Sequence, residues 1–233
     1  MERVETDAVD QWLIALDVDG TLFDGTRVAD AAVLALHRAK ADGHLLVVVT
    51  GRPWDDLSSV IGVVLPLFDR AVCEEGGVLV DVSTGEMTLL GSPVEPEVIA
   101  ALHASGARPL IVGHVMVSAS ANHRAAFDEV RRSLGANLAL VVNKESVALT
   151  TKHCDKASGL RAAVEDLAAD GVPIIAIGDA QNDLAMFAVA TVPIGLANAD
   201  DAVRRSGVTL TRGAFGDGVA EALLRHLPAM PEN

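Results

Sequence analysis

The sequence predicts an α/β protein: a doubly wound parallel sheet with helices on both faces, interrupted by a small inserted α+β unit. Three observations carry this. Near-continuous Val/Leu/Ile runs alternate with helical patterns toward both ends of the chain, as expected of parallel strands covered on both faces. Between residues 77 and 152 that rhythm gives way to hairpins interleaved with helices. Half of the 233 residues are hydrophobic and only 3% aromatic, which supplies an aliphatic core for one large domain or a core plus an insert.

Taken in order, "WLIALDV" (12–18) reads as a buried strand and "RVADAAVLALHRAKADG" (27–43) as a helix ended by Gly43. "HLLVVVT" (44–50) is a second strand. "GRPWDDLSSVIGVV" (51–64) follows as a helix with Pro53 near its first position, and "RAVCEE" (70–75) as a short third strand. "GGVLVDVSTGEMTLL" (76–90) reads as a hairpin turning at "STGE". A helix near 94–105, a strand within 109–119, a helix near 121–134 and a second hairpin, "NLALVV" and "SVALTT" around "NKE", follow. The alternation then resumes with a helix over 155–171, which Asp155 can cap and Gly171 can end. "VPIIAIGDA", "TVPIGL" and "VTLT" read as strands, and "NDLAMFAVA", "DDAVRRSG" and "DGVAEALLRHL" as helices. The expected division is a core formed by 1–76 and 153–233, with an inserted cap over 77–152.

Composition narrows the function classes. The formal net charge of −14 opposes an extended nucleic-acid or anionic-membrane surface. Two cysteines, Cys73 and Cys154, offer neither a disulfide framework nor paired metal-ligand spacing, and fit a reducing compartment. The segment "MERVETDAVDQW" is acidic and lacks the apolar stretch of a secretory signal, and no apolar run approaches the roughly 18 residues of a spanning helix. A cytoplasmic location is expected. Monomer and homodimer are both compatible with this composition.

Ligands of an open parallel sheet bind outside the carboxyl ends of its strands. Asp17 and Asp19, then Thr50, Gly51 and Arg52, then Asp179, Asn182 and Asp183 all fall at such ends and so share one edge. Side chains alternate along a strand, so Asp17 and Asp19 point to similar sides while Val18 points away. Two nearby carboxylates can divide labour, one as a nucleophile and one moving a proton. The plainer reading of Asp-Val-Asp-Gly is turn chemistry, and for Asp183 it is helix capping. Four converging aspartates repel one another without a cation, however, and oxygen ligands suit a hard divalent ion, Mg²⁺ above all. Lys156, at the start of its helix, is placed to neutralise anionic oxygens, with Lys152 as its rival. Carboxylates, Mg²⁺, Thr and Lys together describe a phosphoryl-transfer site.

"DVDGTLFD", "TGR", Lys156 and "GDAQND" occur in the order of the four motifs of the haloacid dehalogenase (HAD) superfamily. The chain resembles the phosphatases of that superfamily whose cap lies between the second and third motifs, the Cof-like or IIB group. It is most similar to their compact members of the phosphoglycolate and sucrose-phosphate phosphatase type. The resemblance implies a Rossmann-like core with a C2-type cap, and a phosphomonoester hydrolase acting on a small phosphorylated metabolite through an aspartyl-phosphate. It implies Asp17 as the nucleophile and Asp19 as the residue that protonates the leaving oxygen and then activates water. Mg²⁺ would be held by Asp17, the Asp19 backbone carbonyl and Asp179, with Asp183 in support. Thr50, Gly51, Lys156 and Asn182 would bind the phosphoryl group.

One departure concerns Glu75, which stands where many of these relatives carry Asn, and where an extra carboxylate would either repel an anionic substrate or select a hydroxyl-bearing leaving group. Arg52, Glu75 and Arg124 are therefore candidate substrate contacts. His114, His123 and Lys144 also lie in the cap, although side chains of these types more commonly face solvent. A sugar phosphate or a phospho-acid is the expected substrate. The alternatives are a phosphotransferase or phosphomutase on the same fold and, more remotely, a phospho-acceptor or binding module without turnover.

Overall fold

The computed structural model describes residues 11–134 and 137–227. Most of the acidic N-terminal segment, residues 1–10, lies outside the described residues.

The first part of the chain forms β1 (Leu13–Leu16), α1 (Asp30–Ala41), β2 (Leu45–Val49), α2 (Trp54–Ile61) and β3 (Arg70–Cys73). The hairpin β4 (Val78–Asp81) and β5 (Met87–Leu89) follows. Next come α3 (Pro96–Ala104), β6 (Ile111–Val112), β7 (Met116–Ser120), α4 (Arg124–Leu134), β8 (Leu138–Val142) and β9 (Ser146–Thr151). The chain returns through α5 (Lys156–Asp166), β10 (Ile174–Gly178), α6 (Leu184–Phe187), β11 (Val192–Gly195), α7 (Asp201–Arg205), β12 (Thr209–Leu210) and α8 (Phe215–His226).

The main sheet has eight strands in the order β12-β11-β10-β1-β2-β3-β4-β5. The six from β12 to β3 run parallel, β4 pairs antiparallel with β3, and β5 pairs antiparallel with β4. Every side chain of β1 is buried, as a strand covered on both faces requires. Ile14, Leu16, Leu46 and Val48 face one side and pack with α1, α2 and α8. Leu13, Ala15, Val47 and Val49 face the other and pack with α5, α6 and α7. The period-two alternation of β1 and β2 thus feeds two cores, and the doubly wound expectation holds. From β1 the chain winds outward to β2 and β3. After the insert it returns to β10 on the opposite flank of β1, so the topological switch lies between β1 and β10, where ligands of such sheets bind.

The second sheet is antiparallel, ordered β6-β7-β9-β8. Val117 and Ala119 of β7 and Val147 and Leu149 of β9 pack beneath α3 and α4, with Phe127 at the centre.

One expected boundary is displaced. The hairpin read as the start of the cap pairs with β3, Arg70 opposite Asp81 and Cys73 opposite Val78, and so extends the main sheet. Val78 and Val80 are buried in the core that holds Ile14 and Leu16. The boundary at 77 therefore falls inside the main sheet, and the second sheet begins after β5. A period-two pattern announces a hairpin but does not say which sheet it joins. α5 is also shorter than expected. It ends at Asp166, because Ala168 adopts a φ of 50° that no helix continues.

Candidate active site

The carboxyl ends of β1, β2 and β10 and the N-terminus of α5 meet at the switch point. Asp17 follows β1 directly, and its amide donates to Ile177 O of β10 at 3.0 Å. Gly20 turns the chain back with φ +83°, and a Cβ there would lie 2.5 Å from Asp179 Oδ2, so only glycine lets this turn sit against Asp179. α5 opens with a capping box: the Asp155 side chain accepts from the Ser158 amide and Ser158 Oγ accepts from the Asp155 amide. This fixes the next residue, Lys156, which points into the protein and is 1% exposed.

Lys156 Nζ donates to Asp17 Oδ1 and to Asp183 Oδ1, both at 2.6 Å. The other oxygen of Asp183 accepts the amides of Asp179 and Ala180 at 2.8 and 2.9 Å, so Asp183 both caps its turn and serves the charge cluster. Asp17, Asp179 and Asp183 are all buried and present carboxylate oxygens within 4.8 Å of one another. Burial holds the Asp17 carboxyl well above its ordinary range, with Asp183 adding to the effect and Lys156 opposing it. Burial likewise raises Asp179. Burial works against the Lys156 ammonium, but Asp17, Asp183 and Glu75 outweigh it and hold the charge in place. The three carboxylates outnumber the ammonium groups that meet them, Lys156 on Asp17 and Asp183 and Lys144 on Asp179, and the donors they offer are all oxygen. That set fits a hard divalent cation.

The flanking residues complete the floor. Arg52 donates Nε and Nη2 to the two oxygens of Asp19, each at 2.7 Å. Thr50 is 1% exposed, and its hydroxyl accepts the Arg52 amide at 3.2 Å. Glu75 sits in a tight turn after β3 with φ 55°, and both its oxygens accept from Asn182 Nδ2 at 3.2 Å. A Cβ on Gly51 would lie 2.4 Å from Glu75 Oε1. The unusual carboxylate is thus packed over Gly51 and braces Asn182.

Above this floor lies a cavity of about 650 Å³. Its roof is the face of the second sheet opposite α3 and α4, with Ser118 and Ser120 from β7 and Ser146 and Ala148 from β9. Lys144, at the tip of the β8–β9 hairpin, reaches down to Asp179 Oδ2 and donates to Asn198 O at 3.2 Å. Of the other cap candidates, Arg124 is exposed at the start of α4 and does not line the cavity. It is the expected substrate contact that the fold sets aside, because the α4 side of the sheet faces away from the site. His114 is held by Glu74, whose carboxylate also accepts the His114 and Val115 amides at 2.9 and 2.8 Å. His123 contacts the backbone of Arg108. Lys152 is exposed and outside the cavity lining, whereas Lys156 is at the centre of the cluster.

Asn198 belongs to the site without having been expected there. Its Nδ2 donates to Gly20 O at 2.7 Å and its Oδ1 accepts the Phe215 amide at 2.9 Å. It follows β11, so the strand-end rule that located Asp17 and Asp179 applied one strand further would have found it. Thr21, which donates to Asp179 Oδ1 at 3.3 Å, carries no such signal.

Comparison with known proteins agrees with this geometry. The family model for haloacid dehalogenase-like hydrolases matches residues 14–107 and 112–223. A phosphoglycolate phosphatase of Methanothermobacter thermautotrophicus is 31% identical over 220 residues, which cover 92% of this chain and 98% of that protein. A phosphoglycolate phosphatase of Nitrosopumilus maritimus is 28% identical over 230 residues, 94% of this chain and 97% of that one. The fold is shared with the crystal structure of a haloacid dehalogenase-like hydrolase from Bacteroides thetaiotaomicron, with a TM-score of 0.76 at 19% identity over 92% of this chain and 99% of that one.

Proposed function

We propose that this chain, which belongs to the haloacid dehalogenase-like hydrolase family and is a phosphatase-type enzyme, is a Mg²⁺-dependent phosphomonoesterase for a small phosphorylated metabolite in the cytoplasm. The observation that supports it most is the buried group of Asp17, Lys156, Asp183 and Asp179 beneath the cavity at the switch point. Asp17 and Asp179 would hold Mg²⁺, with the Asp19 carbonyl alongside and Asp183 in support. The ion would neutralise the carboxylates and polarise the phosphoryl oxygens.

Asp17 attacks the phosphorus through a carboxylate oxygen. As the acyl-phosphate bond forms, the bond from phosphorus to the ester oxygen breaks, and Asp19, entering the step protonated with one oxygen released from the Arg52 fork, gives the leaving oxygen that proton. Asp19, now ionised, takes a proton from an incoming water. The water oxygen bonds to phosphorus, the acyl-phosphate bond breaks, and inorganic phosphate and free Asp17 result. Lys156, the Thr50 hydroxyl, the Gly51 amide and the Asn182 side chain bind the transferring group, whose charge is spread over its oxygens. Glu75 holds Asn182 in place, and Arg52 orients Asp19. Replacing Asp17 with Asn is expected to abolish Mg²⁺-dependent release of phosphate from an aryl phosphate; undiminished release overturns this mechanism.

A further inference from the structure

The cavity floor is built for a phosphoryl group, and its cations are already engaged. Lys156 is enclosed by Asp17 and Asp183, and both oxygens of Asp19 occupy the Arg52 fork. The serines and the alanine of the roof are small and uncharged. Among the described residues that line the cavity, Lys144 is the only Lys or Arg contributed by the cap. Its ammonium already meets one carboxylate, Asp179, and one carbonyl, Asn198, and its side chain is 40% exposed. An ammonium has three donors, so one remains for a ligand. A divalent ion on Asp179 would neutralise the carboxylate that Lys144 now faces and leave its charge to another anion. Elsewhere around the cavity stand Asp24 and Asp56, which repel a second negative group, and Glu145 follows Lys144 on the hairpin tip, so Lys144 itself is the contact left for an anion.

From this we infer that Lys144 is the specificity residue of the cap, and that it receives the carboxylate of a short phosphorylated carboxylic acid. The inference rests on the phosphomonoesterase reading and narrows its substrate class from sugar phosphate or phospho-acid to the latter. A carboxylate bound there lies close to the phosphoryl group, because Lys144 reaches the same aspartate that borders the phosphoryl site. The acid is therefore short, with few atoms between its two anionic ends. Lys144 moves with the hairpin tip, so recognition of the carboxylate also favours the cap lying over the core.

A matched pair of esters tests this: 2-phosphoglycolate and 2-hydroxyethyl phosphate differ only in a carboxylate against a hydroxymethyl group. With Mg²⁺ present, the unaltered protein is expected to prefer the acid. Lys144→Met should lower kcat/KM for the acid by about 10- to 100-fold, mostly through KM, while the neutral ester stays within about threefold. Lys144→Arg should restore much of the preference, which a merely structural role would not predict. An equal fall on both esters overturns the proposal by assigning Lys144 to the phosphoryl or metal end, and so does no fall on either. If the unaltered protein hydrolyses both esters equally well, this proposal alone fails. If it hydrolyses no phosphomonoester, the reading of the site fails and takes the proposal with it.

Discussion

Arg52 holds Asp19 by both carboxylate oxygens, Nε and Nη2 each at 2.7 Å, while Asp17, two residues earlier, is held by Lys156. The two aspartates of the first motif therefore have separate keepers. One lies buried among like charges, and the other is 42% exposed at the cavity edge on a planar fork. Such a fork fixes orientation as well as charge. Arg52→Ala should therefore leave the fold intact and lower kcat about 10- to 100-fold through misplacement of Asp19. Comparing leaving groups checks the cause. An alkyl phosphate, whose leaving oxygen needs a proton, should suffer more than 4-nitrophenyl phosphate; equal losses would assign Arg52 to substrate binding instead.

Removing Lys156 leaves Asp17 and Asp183 buried without their shared ammonium. Breaking a buried pair in this way costs about 3–5 kcal/mol, so Lys156→Met is expected to lower Tm sharply in metal-free buffer. Mg²⁺ should recover part of the loss by supplying positive charge to the same carboxylates. Calorimetry with and without Mg²⁺ reads both effects.

Gly20→Ala is a small change with a specific target. The new methyl would lie 2.5 Å from Asp179 Oδ2 at a φ of +83°, and the left-handed backbone alone costs about 1–2 kcal/mol for an L-residue. The variant is expected to fold and to bind Mg²⁺ more weakly, as titration calorimetry would register. Unchanged affinity would remove Asp179 from the metal site.

The pH dependence of stability has a definite sign. Burial raises Asp17, Asp179 and Glu75, so the native protein keeps protons that the unfolded chain releases at about pH 4. Stability linked to these groups is present below that pH and lost as pH rises through the raised native values. Burial lowers His44, which contributes in the opposite sense just below its unfolded value of about 6.5. Metal-free protein should therefore lose Tm as pH rises above about 4, with Mg²⁺ flattening the slope. The net charge of −14 gives a slope of the same sign, so the diagnostic result is a shallower slope in Asp17→Asn and Asp179→Asn.

The sequence made the floor of the site legible because strand ends of a parallel sheet converge by topology. Asp17, Thr50 and Asp179 needed only the strand assignments, whereas Lys156, next to the Asp155 cap, was separated from its rival Lys152 only by the family resemblance. The roof was not legible in the same way. Which face of the second sheet meets the core, and so why Lys144 lines the cavity and Arg124 does not, depends on docking of one unit on another. The β4–β5 hairpin was recognisable as a hairpin, yet its partner strand was set by the burial of Val78 and Val80. The partner of Glu75 likewise emerges only when the turn after β3 meets Asn182 across the sheet edge.

The central claim is that Asp17 carries the phosphoryl group in transit. Rapid acid quench of the Mg²⁺-loaded protein during turnover of an aryl phosphate, followed by mass spectrometry of its peptides, tests this most directly. The expected result is a phosphoryl group on the peptide containing Asp17, absent from Asp17→Asn, which also releases no phosphate. Steady turnover by Asp17→Asn, or a label on another residue, would contradict the account.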